Sequence, residues 1–224
     1  MGQAIGDLLP SAIGVAISPV PIIAVILILG TPKARSNGPA FAVGWVLGLV
    51  VVSVIVLLAA SGSDDPDSGS STTVDVIKLI VGALFLLMAF KQWQGRPRPG
   101  QPAAMPKWMA AIDQFAPGKS FAFGAILSGA NPKNLALTAA AAASIAQAGL
   151  DGGESTIAVA VFVIIGSVTV AGPVLLYLFG GSRAERPLAE IKEFMSEHNA
   201  VIMMILLLVL GAKLVGDGIA GLTD

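Results

Sequence analysis

Six stretches of mostly apolar residues follow one another along this chain, at 8–29, 39–60, 74–93, 120–148, 157–179 and 200–222, with very little charge inside them. A helix needs about 20 such residues to cross the roughly 30 Å hydrocarbon layer of a bilayer, so each stretch reads as a membrane span. A soluble domain carries about 25% charged residues; here the share is 12%, against 55% from the hydrophobic set. That is too little charge to cover a water-exposed surface. The expected fold class is therefore an all-α, multi-pass integral membrane protein. The first stretch has no basic start and runs into Thr31-Pro32-Lys33 rather than a small-residue cleavage site, so it reads as a retained span and not as a secretory leader.

The few charges exclude several functions. With 13 basic and 14 acidic residues the formal net charge is −1, and no basic excess invites nucleic acid. The absence of cysteine removes disulfides, thiolate nucleophiles and cysteine metal sites. The single histidine, His198, borders the charged stretch 185–197 and reads as a surface residue. No acid cluster, nucleophile constellation or phosphate-binding glycine loop stands out, so neither an enzyme nor a metal or cofactor site is expected.

The cations orient the spans. Lys33 and Arg35 follow the first, Lys91, Arg96, Arg98, Lys107 and Lys119 surround the third connection, and Arg183, Arg186 and Lys192 lie in the fifth. The positive-inside rule places these connections in the cytoplasm and both termini outside. Residues 106–115 and 185–197 carry apolar side chains at helical spacing among charges, which suggests short helices lying in the cytoplasmic interface. They would either pack on the spans or sense lipid. Residues 61–73, rich in serine, aspartate and glycine, read as an external loop.

Two halves of the chain can be superposed: Ser18-Pro19-Val20-Pro21 on Asn131-Pro132-Lys133-Asn134, and Gly82-Ala83-Leu84 on Gly211-Ala212-Lys213. Three spans separate the copies, so the second is inverted in the membrane. The expected organisation is one transmembrane domain, 1–224, made of a first three-helix repeat at 1–93, a cytoplasmic linker at 94–119 and a second repeat at 120–224. Inverted repeats of this kind hold transport sites near the bilayer centre, at interrupted helices.

Pro19, Pro21 and Pro132 fall where such interruptions belong. Proline has no amide hydrogen and presses on the carbonyl four residues earlier, which frees backbone oxygens; in hydrocarbon these need cover from protein or a wet cavity. Ser18, Pro19, Pro21, Asn131, Pro132, Lys133 and Asn134 are the candidate substrate-binding residues. Lys133 is a charge placed deep in a span with no carboxylate at comparable depth, an arrangement that marks a pathway or a buried partner. It suits an anionic group of a cargo, or the carbonyls that the kinks release. Asp75 with Lys78, and Lys213 with Asp217, are spaced to pair on one helix face, as structural ties or as an outer gate. Gly44 and Gly48 form a small-residue face for close helix packing, within one protomer or across a homodimer. Gly172-Pro173 suggests a bend in the fifth span.

The run from Ala16 to Val25 containing Ser-Pro-Val-Pro, the stretch Asn37-Gly38-Pro39-Ala40-Phe41-Ala42-Val43-Gly44-Trp45-Val46-Leu47-Gly48, Asn131-Pro132-Lys133-Asn134-Leu135, and His198-Asn199-Ala200 together resemble the GAP family. This group of actinobacterial proteins is named for addressing glycopeptidolipids and sulfolipids to the cell surface and belongs to the LysE transporter superfamily. The resemblance covers nearly the whole chain. It implies a plasma-membrane protein of six spans that assists export of an envelope lipid or glycolipid. Its partners would be membrane lipids, an anionic lipid cargo and the envelope-lipid synthesis or export machinery. Three functions remain in competition: an exporter working by alternating access, an accessory subunit without transport of its own, and an exporter of a small solute such as an amino acid.

Overall fold

The computed structural model of the chain describes residues 1–61, 70–95 and 111–223. Regular structure among them is helical: α1 Gly2–Ala16, α2 Pro19–Leu29, α3 Ala34–Ser61, α4 Ser70–Gln94, α5 Pro117–Gly129, α6 Pro132–Gln147, α7 Gly152–Gly180 and α8 Glu185–Thr223, with 3-10 turns at Ile112–Gln114 and Gly181–Ala184. Ala34–Ala59, α7 and α8 are long and apolar enough to cross a membrane, and α1 with α2, bent by 50° at their break, form a fourth such element.

The fourth apolar stretch is interrupted at Pro132, as the proline there suggested, and forms two helices of 13 and 16 residues. Proline pushes the residue before it out of the helical region. Accordingly Asn131, before Pro132, is extended at φ −69°, ψ 121°, and Ser18, before Pro19, at φ −83°, ψ 110°. By contrast α7 runs unbroken through Pro173.

The amphipathic stretch 185–197 is not a separate interfacial helix. It is the beginning of α8, which is 39 residues long, or about 60 Å at 1.5 Å per residue. Pro187 sits in the first turn, where a missing amide costs nothing, and no glycine or proline follows until Gly211. Of the stretch 106–115, residues up to 110 lie outside the described residues; beyond them comes the 3-10 turn, with Ile112 buried. The expected external loop is shortened, since Ser61 closes α3 and Ser70 opens α4; residues 62–69 lie outside the described residues.

The chain forms two compact units, Met1–Gly62 with Ala103–Glu197, and Ser63–Pro102 with His198–Asp224. Each takes elements from both halves of the sequence. In the first unit α3 lies against α5. A Cβ on Gly44 would overlap the Phe121 carbonyl, one on Gly48 would overlap Ser128 Oγ, and one on Gly124 would overlap the Phe41 carbonyl. From Gly44 beside Phe121, through Gly48 beside Ala125, to Val52 beside Gly129, the contacts advance together along both helices, so α3 and α5 are parallel. Gly44 and Gly48 thus serve packing within the protomer, and their partner face is Ser120, Gly124 and Ser128, three small buried residues at spacing four. On α7, Gly166 meets Leu49 whereas Val174 meets Gly38, which makes α7 antiparallel to α3. The Trp45 indole is fully buried and donates to the Gly166 carbonyl at 3.3 Å.

In the second unit, α4 packs antiparallel to the last part of α8: Gly218 and Gly221 meet Asp75, and Gly211 meets Gly82 and Leu86. The outward faces are apolar. On α7, Ile157, Ile164, Val168, Leu175 and Phe179 form an exposed stripe, with Phe179 87% exposed. A surface of this composition fits hydrocarbon and not water. The chain is a membrane protein.

Candidate functional site

The breaks in the two interrupted helices meet inside the first unit. Ser18 caps the N-terminus of α2, yet its hydroxyl makes no bond to its own helix. It donates instead to Asn134 Oδ1 at 3.0 Å, across 116 residues of chain. The Lys133 ammonium donates to Ser18 Oγ at 2.6 Å and to the Gly14 carbonyl at 2.8 Å. Asn134 Nδ2 donates to the Leu127 carbonyl at 2.9 Å. Ser18, Lys133 and Asn134 are all buried, at 4%, 4% and 0% exposure.

Each bond follows from a proline break. A helix that stops leaves its last carbonyls without amide partners. Lys133 satisfies one such oxygen at the end of α1. Thr169 of α7 donates its hydroxyl to a second, the Ala16 carbonyl, while Asn134 satisfies Leu127 near the end of α5. Side chains at the first turn of α6 therefore close the ends of both preceding half-helices. Hydrogen bonds to a charged group contribute about 1.5–3 kcal/mol each, which offsets part of the several kcal/mol that burying a charge costs. Among the described ion pairs none includes Lys133, so carbonyl and hydroxyl oxygens hold its charge.

The remaining candidates act at the backbone or lie elsewhere. Asn131 caps α6, its Oδ1 accepting from the Lys133 amide at 3.1 Å. Pro132 occupies the first helical position and is exposed, whereas Pro19 and Pro21 are buried in the first turn of α2. In the second unit, Lys78 Nζ lies 2.8 Å from Asp75 Oδ1 and Lys213 Nζ lies 2.7 Å from Asp217 Oδ2. The pairs differ in setting. Asp75 is buried, with Gly221 seated against its carboxylate, while both members of the Lys213 pair are exposed.

Gly14, Thr169 and Leu127 are absent from the sequence-based set. Two of them contribute only a main-chain oxygen, which leaves no mark on residue type. Gly14 had one available signal: it stands four residues before Ser18, where a helix broken at Ser18 must leave an unpaired carbonyl.

Both ends of helix dipoles meet at the site. The N-termini of α2 and α6 bring positive ends beside the Lys133 amine. The C-termini of α1 and α5 bring carbonyls, of which Lys133, Thr169 and Asn134 take up those of Gly14, Ala16 and Leu127. Helix starts of this kind receive anionic groups.

No curated protein and no solved structure matches the chain. A family model described as Sap, sulfolipid-1-addressing protein, matches residues 8–220, and the chain belongs to that family.

Proposed function

We propose that this protein is an exporter of an anionic envelope lipid, with the lipid's headgroup received where Ser18, Lys133 and Asn134 join the two helix breaks. The observation that carries the reading is the meeting of two half-helix N-termini around a buried ammonium. Such an arrangement favours a permanently anionic group, and a sulfated lipid of the kind named in the family description carries one. An inside-negative potential adds about 2.3 kcal/mol per charge per 100 mV toward moving an anion outward.

The proposed framework is six spans in an inverted repeat within the plasma membrane, both termini outside, related to the LysE superfamily. The broken pairs α1–α2 and α5–α6 would form spans one and four, with α4 as span three. Support comes from helix direction: α3 and α5 are parallel, α7 runs against α3, and α4 runs against α8, as this threading requires. Further support comes from Gly82 and Gly211, matched positions of the two repeats. A Cβ on either would lie 3.0 Å from the carbonyl of the other, the reciprocity expected where repeats meet near a shared axis. One repeat rocking against the other would expose the site alternately. The proposed activity is carriage, without enzymatic chemistry.

A second reading, an accessory subunit of an envelope-lipid machine, draws on the fact that Lys133 is already satisfied by protein oxygens. The two readings part in a strain lacking the chromosomal copy, complemented with Lys133→Ala or Ser18→Ala. An exporter predicts that surface lipid falls at least tenfold while the lipid accumulates inside, at unchanged protein level. An accessory subunit predicts normal surface lipid.

A further inference from the structure

We propose that the Lys133 ammonium is a tethered cation filling a monovalent-cation site, formed by the Gly14 carbonyl at the end of α1 and the Ser18 hydroxyl at the break. Removing the ammonium opens that place to a small cation from solution. The inference concerns the same side chain as the export reading but requires no cargo, so a lipid-free experiment can fail without touching that reading, and the reverse.

The polarity of the shell is set independently of Lys133. A serine hydroxyl has one proton to give, and Ser18 gives it to Asn134 Oδ1. Its lone pairs are thereby left for the ammonium, which it accepts at 2.6 Å. Asn134 is in turn fixed in orientation, because its Nδ2 donates to the Leu127 carbonyl. The hydrogen bonds are anchored at an accepting carbonyl of α5 and leave an accepting oxygen presented to Nζ. The second ligand, the Gly14 carbonyl at 2.8 Å, sits at the negative end of a half-helix. Half-helix C-termini and unwound carbonyls are the groups with which transporters of broken-helix design hold a coupling cation.

The donor set also limits what fits. Carbonyl and hydroxyl oxygens without a carboxylate carry no formal negative charge. Calcium sites, by contrast, are built largely on carboxylates. A singly charged cation is the match, and a primary ammonium small enough to replace the lost head is the best probe. The protein would thus have fixed by a covalent tether what other carriers take from solution.

The test compares purified wild type and Lys133→Ala in detergent without lipid, with Tm read in choline chloride and in methylammonium chloride. In choline the variant should lose about 5–10 °C, the scale of a few lost buried contacts in a chain of this size. Methylammonium should restore at least half of that loss saturably, tetramethylammonium should not, and wild type should respond to neither. Adding Ser18→Ala should abolish the recovery. Equal Tm in choline and methylammonium would overturn the proposal, as would a recovery that survives Ser18→Ala. If Lys133→Ala yields no folded protein, Lys133→Asn, polar but too short to reach Gly14, is compared in the same salts. Failure of both variants to fold even in methylammonium also overturns it.

Discussion

Lys133 and Gly14, 119 residues apart in the chain, are joined by a 2.8 Å hydrogen bond from an ammonium to a main-chain carbonyl. The carbonyl is available because α1 ends at Ala16, and the ammonium reaches it because Pro132 starts a new helix one residue before Lys133. One break makes the acceptor and the other positions the donor. Neither proline is itself chemical, yet the site depends on both.

If the charge of Lys133 is kept for an anionic cargo, a resident carboxylate should compete with that cargo. Ser18→Asp places one beside the ammonium and is also a good N-cap for α2. The variant should fold as wild type does, by Tm and by size-exclusion profile, while lipid delivery to the surface drops at least tenfold. Full delivery with a folded variant would argue against an anion at this position.

The glycines of the membrane helices should fall into two classes. At Gly124 a Cβ overlaps the Phe41 carbonyl, and because the clash is with backbone it cannot be relieved by a rotamer change. Gly124→Ala should therefore cost about 3 kcal/mol. At Gly172 nothing lies within 4 Å of an added Cβ, so Gly172→Ala should be stabilising by about 0.5–1 kcal/mol through the helical preference of alanine. Thermal unfolding of the two variants side by side reads the difference.

Asp75 and Gly221 should be coupled. A Cβ on Gly221 would overlap the Asp75 carboxylate and draw it from Lys78. Gly221→Ala alone should destabilise by about 1–3 kcal/mol. In an Asp75→Ala background the same change should cost much less, because the obstructing carboxylate is gone. Additive costs in this double-mutant cycle would mean that the two residues do not meet.

Much of this was legible in the sequence, and the boundary is physical. Proline acts through its own ring and missing amide, so Pro19 and Pro132 announced both breaks, and Lys133 stood out as a charge where charge is expensive. Ser18 and Asn134 were accessible because they flank those prolines. What escaped were main-chain oxygens, at Gly14 and Leu127, which every residue type possesses. The small-residue face of α5 escaped as well. Ser120, Gly124 and Ser128 read individually as ordinary polar or small residues, and only the packing against Gly44 and Gly48 joins them. The continuity of α8 was missed because an amphipathic pattern followed by an apolar one looks like two elements, although nothing in the chain between them interrupts helical hydrogen bonding.

The absence of cysteine makes topology directly measurable. Single-cysteine variants at Gly2 and Gly152 should react with a membrane-impermeant maleimide in intact cells, and one at Glu190 only after permeabilisation. Labelling of Glu190→Cys in intact cells would contradict the six-span threading with both termini outside.

The most direct measurement of the export reading is lipid movement by the purified protein alone. Proteoliposomes containing only this chain and a fluorescent sulfated glycolipid, with a potential imposed across the membrane, should transfer that lipid between leaflets faster than protein-free vesicles do, and Lys133→Ala should return the rate to background. Transfer indistinguishable from protein-free vesicles, with folded protein present, would contradict the account and leave the accessory role.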